Sequence, residues 1–289
     1  MIERQKPEAL AIAVVPQHQP EIILHAMERG VSVLAEKPLA LSLDEAKDLL
    51  TRAEAAKVAH MVDFLFPEIP AWRKAKELLG EGAVGRVLRV TTHWSFLSYD
   101  LRNRLVSWKT DPAQGGGALS FFFSHEFYNV EYLLGKMVDI SCTLESAPDS
   151  PNHGETAVKV SAHFESGCPG DFYLNCGARD EQRHFLVFQG EKGTLRLENV
   201  TASLCRGWTL THYDERGGKQ VIDAGELKTE SGVDERVPLV QAIGERFVGW
   251  CQGKGPARPS FEDGCRVQQL MEAARVSAAE QVVRGTDEH

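Results

Sequence analysis

The chain has 289 residues, of which 43% are hydrophobic and 25% are charged, and its formal net charge is −9. This length suffices for one large or two ordinary domains with a substantial apolar core. The acidic balance argues against nucleic acid or an anionic membrane surface as a partner. No apolar run approaches the roughly 20 residues needed to cross a bilayer, and the N-terminus lacks the apolar core of a signal peptide. We therefore expect a globular protein of the cytoplasm.

The six cysteines are scattered along the chain, with no Cys-x-x-Cys pair. Reduced, mostly structural thiols in a cytosol are the natural interpretation of this spacing. The histidines also lack the spacing of metal ligands. No metal site is predicted.

The first 62 residues alternate short apolar runs with helical patterns. Continuous apolar runs of this length are typical of strands buried on both faces of a parallel sheet. Ser42 and Glu45 form a capping box that begins the second helix. The predicted order is strand 9–15, helix 20–30, strand 31–35, a helix after Ser42, and strand 58–62. Such an order is half of a doubly wound sheet, so residues 1–62 are predicted to be a partial dinucleotide-binding (Rossmann) domain.

A complete dinucleotide-binding domain begins with a strand and a glycine-rich turn that holds the pyrophosphate. No Gly-x-Gly-x-x-Gly follows a strand near this N-terminus. The dense glycine cluster at 115–117 follows Asp111-Pro112-Ala113-Gln114 and predicts a loop that needs close backbone approach. The pattern therefore predicts a Rossmann-type sheet truncated at its N-terminal side. The simplest account is that Met1 is an internal methionine; otherwise we expect weakened or lost cofactor binding.

Residues 63–289 follow a different pattern. The alternation of residues 86–94 gives one polar and one packed face, which is typical of an antiparallel or mixed open sheet. Helices are predicted near 70–79, 118–134, 238–251 and 263–284, with strands near 155–164, 171–176, 183–189, 194–198, 203–211 and 219–223. This part is predicted to be an α+β domain with a large open mixed or antiparallel sheet, used for substrate binding and oligomerisation. We expect helix 263–284 to pack back on the first domain.

Lys37 is the first candidate for chemistry. It follows the buried strand 31–35 and stands between Glu36 and Pro38, at the strand end where ligands bind in open α/β sheets. A partly desolvated lysine beside an acid can lower its proton affinity and relay protons. The alternative is an ordinary surface lysine in a Glu–Lys pair.

His125 is the second candidate. On the predicted helix 118–134 it shares one face with Phe121 and Tyr128. A histidine within reach of a substrate hydroxyl is the usual general base at neutral pH. A core histidine whose nitrogens are satisfied is the alternative.

The loop that leads into this helix carries Trp108 and Lys109, and Trp94 ends the preceding strand. Together these side chains are candidates to line a sugar-binding pocket by stacking and hydrogen bonding. Packing in a core is the more ordinary use of tryptophan.

The order of these motifs resembles the glucose–fructose oxidoreductase, inositol dehydrogenase and MocA (Gfo/Idh/MocA) family. The resemblance rests on residues 11–16, on Glu-Lys-Pro after a buried strand, and on the Gly-Gly-Gly helix with His125 eight residues past the last glycine. It covers nearly the whole chain. It implies a two-domain NAD- or NADP-dependent oxidoreductase of sugars, inositols or related polyols, often oligomeric (a dimer or tetramer) through the open sheet.

The resemblance also implies site residues. Lys37 contacts the nicotinamide end and the substrate, with a cis peptide before Pro38, and His125 is the acid/base at the alcohol or ketone. The implied cofactor-binding residues are Pro16, Gln17, Glu36, Lys37 and Pro38. The substrate-binding candidates are Trp94, Trp108, Lys109 and Tyr128.

The chain departs from the family pattern at two positions. Family enzymes typically carry aspartates four residues before and three residues after the helix histidine, where this chain has Phe121 and Tyr128. Loss of an orienting carboxylate changes the tautomer preference of the imidazole and lowers its basicity. A catalytically impaired or non-catalytic sugar-binding or dimerising relative is therefore the alternative hypothesis. A lyase or hydrolase that uses a bound cofactor is a third.

Overall fold

The N-terminal part of the chain forms a small parallel α/β sheet. The computed structural model describes residues 2–286, and Met1, the expected internal methionine, lies outside them. The elements here are α1 (Ile2–Gln5), β1 (Ala9–Ile12), α2 (Gln19–Met27), β2 (Ser32–Ala35), α3 (Leu43–Ala56) and β3 (His60–Val62). The strand order is β1-β2-β3 and both pairs are parallel. All four residues of β2 are buried, as expected for the central strand of such a sheet.

Local signals explain how these elements begin and end. The side-chain oxygen of Ser42 accepts a hydrogen bond from the Glu45 amide, and the predicted capping box is confirmed. β1 ends at Ile12, although the apolar run continues to residue 15. Residues 13–15 therefore leave the sheet at its carboxyl edge, where they become available to a ligand.

The rest of the chain builds a larger sheet backed by helices. Its elements are α4 (Pro70–Gly80), β4 (Val87–Ser95), α5 (Tyr99–Arg102), α6 (Ser124–Leu134), β5 (Met137–Glu145), β6 (Ala157–Phe164), β7 (Pro169–Asn175), β8 (Arg183–Gly190), β9 (Gly193–Asn199), β10 (Thr209–Asp214), β11 (Lys219–Ile222), α7 (Val237–Cys251) and α8 (Phe261–Thr286). The eight strands follow the order β11-β10-β9-β8-β4-β7-β6-β5. β4 and β7 are parallel and the other neighbours are antiparallel. The predicted fold class, a small Rossmann-type sheet followed by a large mixed sheet, is confirmed.

Three further elements differ from their predictions. β5 was not predicted, although residues 139–145 alternate between exposed and more buried positions; a register shift between Met137 and Asp139 offsets only the start of this edge strand. The strand predicted from 203 begins only at Thr209, since the side chain of Asn199 binds the carbonyl oxygens of Ser203 and Arg206 and holds the preceding segment as a loop. The predicted helix 118–134 begins with a π-helical turn over residues 118–123.

The long helix α8 connects the two sheets. It packs against α3 and β3 on one side and against β5 and α6 on the other. The Gln268 amide donates a hydrogen bond to the carbonyl oxygen of Leu41 at 3.1 Å, and the Cys142 amide donates to Ser277 Oγ at 3.0 Å. The same helix thus fixes the position of the loop after β2 and of the far edge of the large sheet. Among residues 2–286, no helix combines the length and hydropathy that crossing a bilayer requires.

A partly buried ion pair joins α7 to the segment that follows the small sheet. The Arg246 guanidinium donates two hydrogen bonds to the Glu68 carboxylate, at 2.6 and 2.9 Å, and Glu68 is buried. Arg246 Nε also donates to the carbonyl oxygen of Arg258 at 3.0 Å. This bidentate pairing of a guanidinium group with a carboxylate holds α7 at the side of the cleft described below.

Replacing Arg246 with methionine should lower the free energy of unfolding by roughly 2–3 kcal/mol, because Glu68 would remain buried without its partner. The double variant Arg246→Met/Glu68→Met should recover most of this loss. Urea denaturation of the two variants and the wild type measures the effect. A double variant no more stable than Arg246→Met would contradict the assignment of the loss to the orphaned carboxylate.

Candidate active site

A cleft of about 1510 Å³ lies at the carboxyl edge of the small sheet. Its floor is formed by the residues that follow β1, β2 and β3, including Val15, Lys37 and Asp63. One wall is aromatic and carries His125; the segment before α7 and the start of that helix form another. In open α/β sheets this edge is the ligand-binding edge.

The loop that carries Lys37 is held by a buried amide. Gln19 is 1% exposed, and its Nε2 lies 2.7 Å from the carbonyl oxygen of Glu36, 3.0 Å from that of Pro38 and 3.1 Å from that of Leu39. The Lys37–Pro38 peptide is cis. Gln19 was missed at the sequence level, since a glutamine in the first turn of a helix carries no sign of a partner 17 to 20 residues away.

Lys37 faces both the cleft and the π-helical turn. Its Nζ donates a hydrogen bond to the carbonyl oxygen of Phe121 at 2.5 Å and lies 4.0 Å from the centroid of the Phe121 ring. Burial lowers the pKa of Lys37 to about 8, and the nearby carboxylates of Glu36 and Asp63 oppose that decrease. The ammonium can therefore lose a proton close to neutral pH.

His125 faces Lys37 from the aromatic wall. It is 8% exposed, and its ring makes edge contacts with Phe64 and Phe66, with centroids 6.0 and 5.2 Å away. Burial lowers the pKa of His125 well below its usual value, and the positive charge of Lys37 acts in the same direction. The imidazole is therefore neutral at pH 7 and has one nitrogen able to accept a proton. Nδ1 is buried and has no hydrogen-bond partner within residues 2–286.

Asp63 is a site residue that the sequence prediction missed. It follows β3 directly, its amide donates to the carbonyl oxygen of Ala35 at 2.9 Å, and its side chain lines the cleft. The carboxyl group is almost fully buried, and burial together with the charge of Glu36 raises its pKa to about 7. A signal was available in the sequence: Asp63 ends one strand at the same edge where Lys37 follows the neighbouring one.

The four substrate-binding candidates divide into two groups. Trp94 and Trp108 line the cleft, and the Trp108 ring stands edge-on to Phe121 at 5.3 Å. Tyr128 is instead buried behind the cleft, stacked on Phe64 with centroids 4.5 Å apart, and is not among the lining residues. Lys109 borders a separate small cavity, with its Nζ 5.4 Å from the Phe121 ring.

The cofactor-binding candidates also differ in their placement. Glu36 lines the cleft beside Lys37, whereas Pro38 is buried behind it. Pro16 is buried against Gly115, and Gln17 points to solvent. Neither of these two residues lines the cleft; their neighbours Val15 and His18 do.

The glycine cluster provides the close approach that was predicted. A Cβ at Gly116 would lie 2.1 Å from the carbonyl oxygen of Trp108, and one at Gly117 would lie 2.4 Å from a carboxylate oxygen of Glu155. Gly117 also has a φ of 80°, in the left-handed region. These contacts bring the loop with Trp108 against the start of the helix that carries His125.

A second buried histidine lies behind His125. His184 is stacked on Trp94 at 4.6 Å between ring centroids, and its Nε2 lies 2.7 Å from Glu126 Oε1, out of line for a regular hydrogen bond. Both residues are buried. The acid next to His125 in the sequence therefore points away from the cleft and is used inside the core. Within the described part of the chain, no group of three His, Cys, Asp or Glu side chains could hold a metal ion.

A Rossmann-type parallel sheet with a lysine and a histidine facing one cleft at its carboxyl edge, joined to a large open sheet, defines a dinucleotide-dependent oxidoreductase fold. Residues 1–64 match the family model described as "Oxidoreductase family, NAD-binding Rossmann fold". Residues 76–284 match the model described as "Oxidoreductase family, C-terminal alpha/beta domain". The chain therefore belongs to the Gfo/Idh/MocA oxidoreductase family, and the resemblance drawn from the motifs is confirmed.

Several relatives cover nearly the whole chain. Levoglucosan dehydrogenase of Pseudarthrobacter phenanthrenivorans is 32% identical over an alignment of 302 positions, which covers 92% of this chain and 77% of the relative. An uncharacterized oxidoreductase of Synechocystis sp. is 26% identical over an alignment of 289 positions, which covers 95% of this chain and 78% of the relative. A solved structure of levoglucosan dehydrogenase in complex with NADH and levoglucosan superposes with a TM-score of 0.82 at 22% identity, covering 96% of this chain and 80% of that one. This structural similarity shows a shared fold.

The cleft fits one end of a dinucleotide. The apolar residues after β1 and the lysine after β2 line the cleft at the carboxyl edge of the sheet, which is the ligand-binding edge in this class of fold. A Gly-x-Gly-x-x-Gly spacing does occur at residues 80–85, but it leads from α4 into β4. That is the reverse of the strand-to-helix turn that holds a pyrophosphate. The residues present thus fit the reactive end of the cofactor.

Replacing Gln19 with alanine should lower the free energy of unfolding by about 1–3 kcal/mol, because three buried carbonyl oxygens lose their donor. The matched control is Gln17→Ala, which removes an exposed side chain two residues away. Chemical denaturation measures stability, and amide hydrogen exchange reports opening of the loop at residues 36–39. Equal stability and equal exchange in the two variants would show that Gln19 does not hold the loop.

Asp63 should make stability depend on pH. Its folded pKa of about 7 lies above the unfolded value near 4, so the folded state binds more protons between these values. The contribution of Asp63 to stability is therefore greatest below about pH 4, falls as the pH rises, and is lowest above about pH 7. The free energy of unfolding of Asp63→Asn should exceed that of the wild type by about 1 kcal/mol at pH 4.5 and by up to about 4 kcal/mol at pH 8. Chemical denaturation at both pH values measures the free energies of unfolding of the variant and the wild type. A difference between them that does not widen from pH 4.5 to pH 8 would refute the prediction.

Proposed function

We propose that the chain is an NAD(P)-dependent oxidoreductase that acts on a sugar, inositol or related polyol by hydride transfer at a carbinol carbon. Membership of the family supports the reaction class. The observation that carries the proposal is that Lys37 and His125 face each other across a single cleft at the carboxyl edge of the Rossmann-type sheet. When bound, the nicotinamide supplies the group that accepts or donates the hydride.

The chain's own residues handle the proton of the reacting hydroxyl. In the oxidation direction, the neutral imidazole of His125 takes that proton, so an O–H bond breaks as an N–H bond forms. The Lys37 ammonium donates a hydrogen bond to the same oxygen and stabilises the negative charge that develops on it. In the reduction direction the imidazolium returns the proton to the oxygen.

The aromatic wall supports a ring-shaped substrate. Trp94, Trp108, Phe121 and Phe122 present apolar surfaces to the cleft, and such surfaces stack on the C–H faces of sugar rings while a few polar groups fix orientation. The similarity to levoglucosan dehydrogenase also supports a sugar as the substrate class.

A second candidate function is a non-catalytic sugar-binding relative. The observation that favours it is the presence of Phe121 and Tyr128 at the two positions where the family typically has aspartates. Without those carboxylates the imidazole has no partner on its own helix to orient it. Sugar binding without turnover would be the result that supports this candidate.

A homo-oligomer formed through the open sheet is part of the same proposal. The sheet carries aromatic side chains such as Tyr173 and Phe185, which pack against His93 on the side where alternate strand residues remain partly exposed. Light scattering after size-exclusion chromatography distinguishes a monomer from a dimer or tetramer.

Lys37→Ala and His125→Ala should each lower kcat/KM for the sugar substrate by about 100-fold or more, since oxygen stabilisation and general base catalysis are each worth at least that factor. Exposed residues of the same types supply the controls, Lys47→Ala and His163→Ala, which should stay near the wild-type value.

NADH titration, followed by calorimetry, separates cofactor binding from turnover in each of these proteins. Micromolar binding by the wild type would show that contacts to the reactive end of the cofactor suffice to hold it. Turnover within about tenfold of wild type in both cleft variants, which corresponds to roughly 1.4 kcal/mol of barrier, would contradict the assignment.

A further inference from the structure

Asp63 is placed by the sheet beside Lys37. β3 is the parallel neighbour of β2, and the Asp63 amide binds the carbonyl oxygen of Ala35, two residues before Lys37. The side chain of Asp63 is 7% exposed and lines the cleft. Its Oδ1 has no hydrogen-bond partner in residues 2–286. A buried carboxylate oxygen without a partner is costly, so its position calls for an electrostatic explanation.

Four charged groups act electrostatically on Asp63: Glu36 and Lys37 from the loop after β2, Glu68 from the segment after β3, and Arg236 from the segment before α7. Three of them, Glu36, Lys37 and Arg236, line the same cleft as Asp63. Two of the four groups are engaged elsewhere. Glu68 is bound by Arg246, and the exposed Arg236 is bound to Asp234 at 2.6 Å. Lys37 is therefore the cation whose charge is best placed to offset that of Asp63.

Lys37 in turn is faced by few charges. Glu36 and Asp63 act on it from the sheet side, Lys109 from the loop before the π-helical turn, and His125 from the helix. The helix side next to Lys37 offers Phe121 and not an acid, and Glu126 points into the core toward His184. The buried carboxylate of this cleft thus comes from the sheet and not from the helix.

We propose that Asp63 is a positioning residue of the reaction centre, an anion on the cleft floor that keeps the Lys37 amine protonated and able to donate a hydrogen bond to the substrate oxygen. The part concerning the substrate rests on the proposed function. The charge coupling between Asp63 and Lys37 rests on the structure alone.

The coupling is tested on the full chain without cofactor or substrate. Labelling of Lys37 by acetic anhydride as a function of pH, quantified by peptide mass spectrometry, reports the pKa of its amine, expected near 8 in the wild type. Asp63→Asn should lower this midpoint by about 1 pH unit, because an opposite charge nearby favours the charged form. Asp63→Glu keeps the negative charge, so the midpoint of Lys37 should return most of the way to the wild-type value. Asp48→Asn, an exposed substitution of the same type on α3, should leave it unchanged.

The reciprocal variant keeps the test decisive if Asp63→Asn folds poorly. Coupling free energies are mutual, so Lys37→Met should raise the titration midpoint of the Asp63 carboxyl, followed by carbon-13 NMR, by a similar amount. An unchanged Lys37 midpoint in Asp63→Asn, or an unchanged Asp63 midpoint in Lys37→Met, would overturn the proposal.

The pH dependence of turnover gives a second, independent test of the positioning role. With an active sugar substrate, the alkaline limb of kcat/KM in Asp63→Asn should move to lower pH by the shift measured by labelling. A merely structural role would lower kcat/KM at every pH without moving the limb, and that result would overturn the positioning role. Absence of turnover in the wild type would refute the proposed function, while the labelling result would still decide the coupling.

Discussion

The desolvation of one ammonium group is the constraint on which the cleft depends. Lys37 follows a fully buried strand and lies under an aromatic wall, and such burial favours its neutral form. The neighbouring groups offset this cost in part: the carbonyl oxygen and ring of Phe121, and the carboxylates of Glu36 and Asp63. Gln19 fixes the loop so that these contacts are kept. The proton affinity of one amine is therefore set by residues from three separate elements.

The two sides of the cleft divide the polar and apolar contributions between them. The helix side is aromatic, which removes water from His125 and keeps its ring neutral. The sheet side supplies the buried acid, Asp63. With this division the cleft needs no carboxylate on the helix itself. The neutral imidazole of His125 can accept a proton without a neighbouring carboxylate. Lys37 still requires a nearby anion, which the sheet side provides. The cleft thus contains charged groups of both signs, although Phe121 and Tyr128 on the helix side carry no charge.

Most of the fold could be predicted from the sequence, because strand burial, helix caps and glycine stops are local signals. The small sheet, the capping box at Ser42 and the mixed sheet followed from such patterns. The edge strand β5 was not predicted, although residues 139–145 alternate between exposed and more buried positions. At the site, Lys37 was predictable from the end of its strand, and its pairing with His125 followed from the resemblance of the motifs to the family. Gln19 was not, because its bonds reach across 17 to 20 residues, and the burial of Tyr128 behind Phe64 depends on tertiary packing that helical spacing does not specify.

The charges of Lys37 and Asp63 cannot be assigned one at a time. Burial lowers the pKa of Lys37 to about 8 and raises that of Asp63 to about 7, whereas it holds the pKa of His125 well below its usual value. Lys37 and Asp63 interact and have similar proton affinities, so they share their protons as a pair. The imidazole of His125 stays neutral beside them and is able to accept the proton of a bound hydroxyl group. The same burial thus brings the lysine and the acid close in proton affinity and keeps the histidine a proton acceptor.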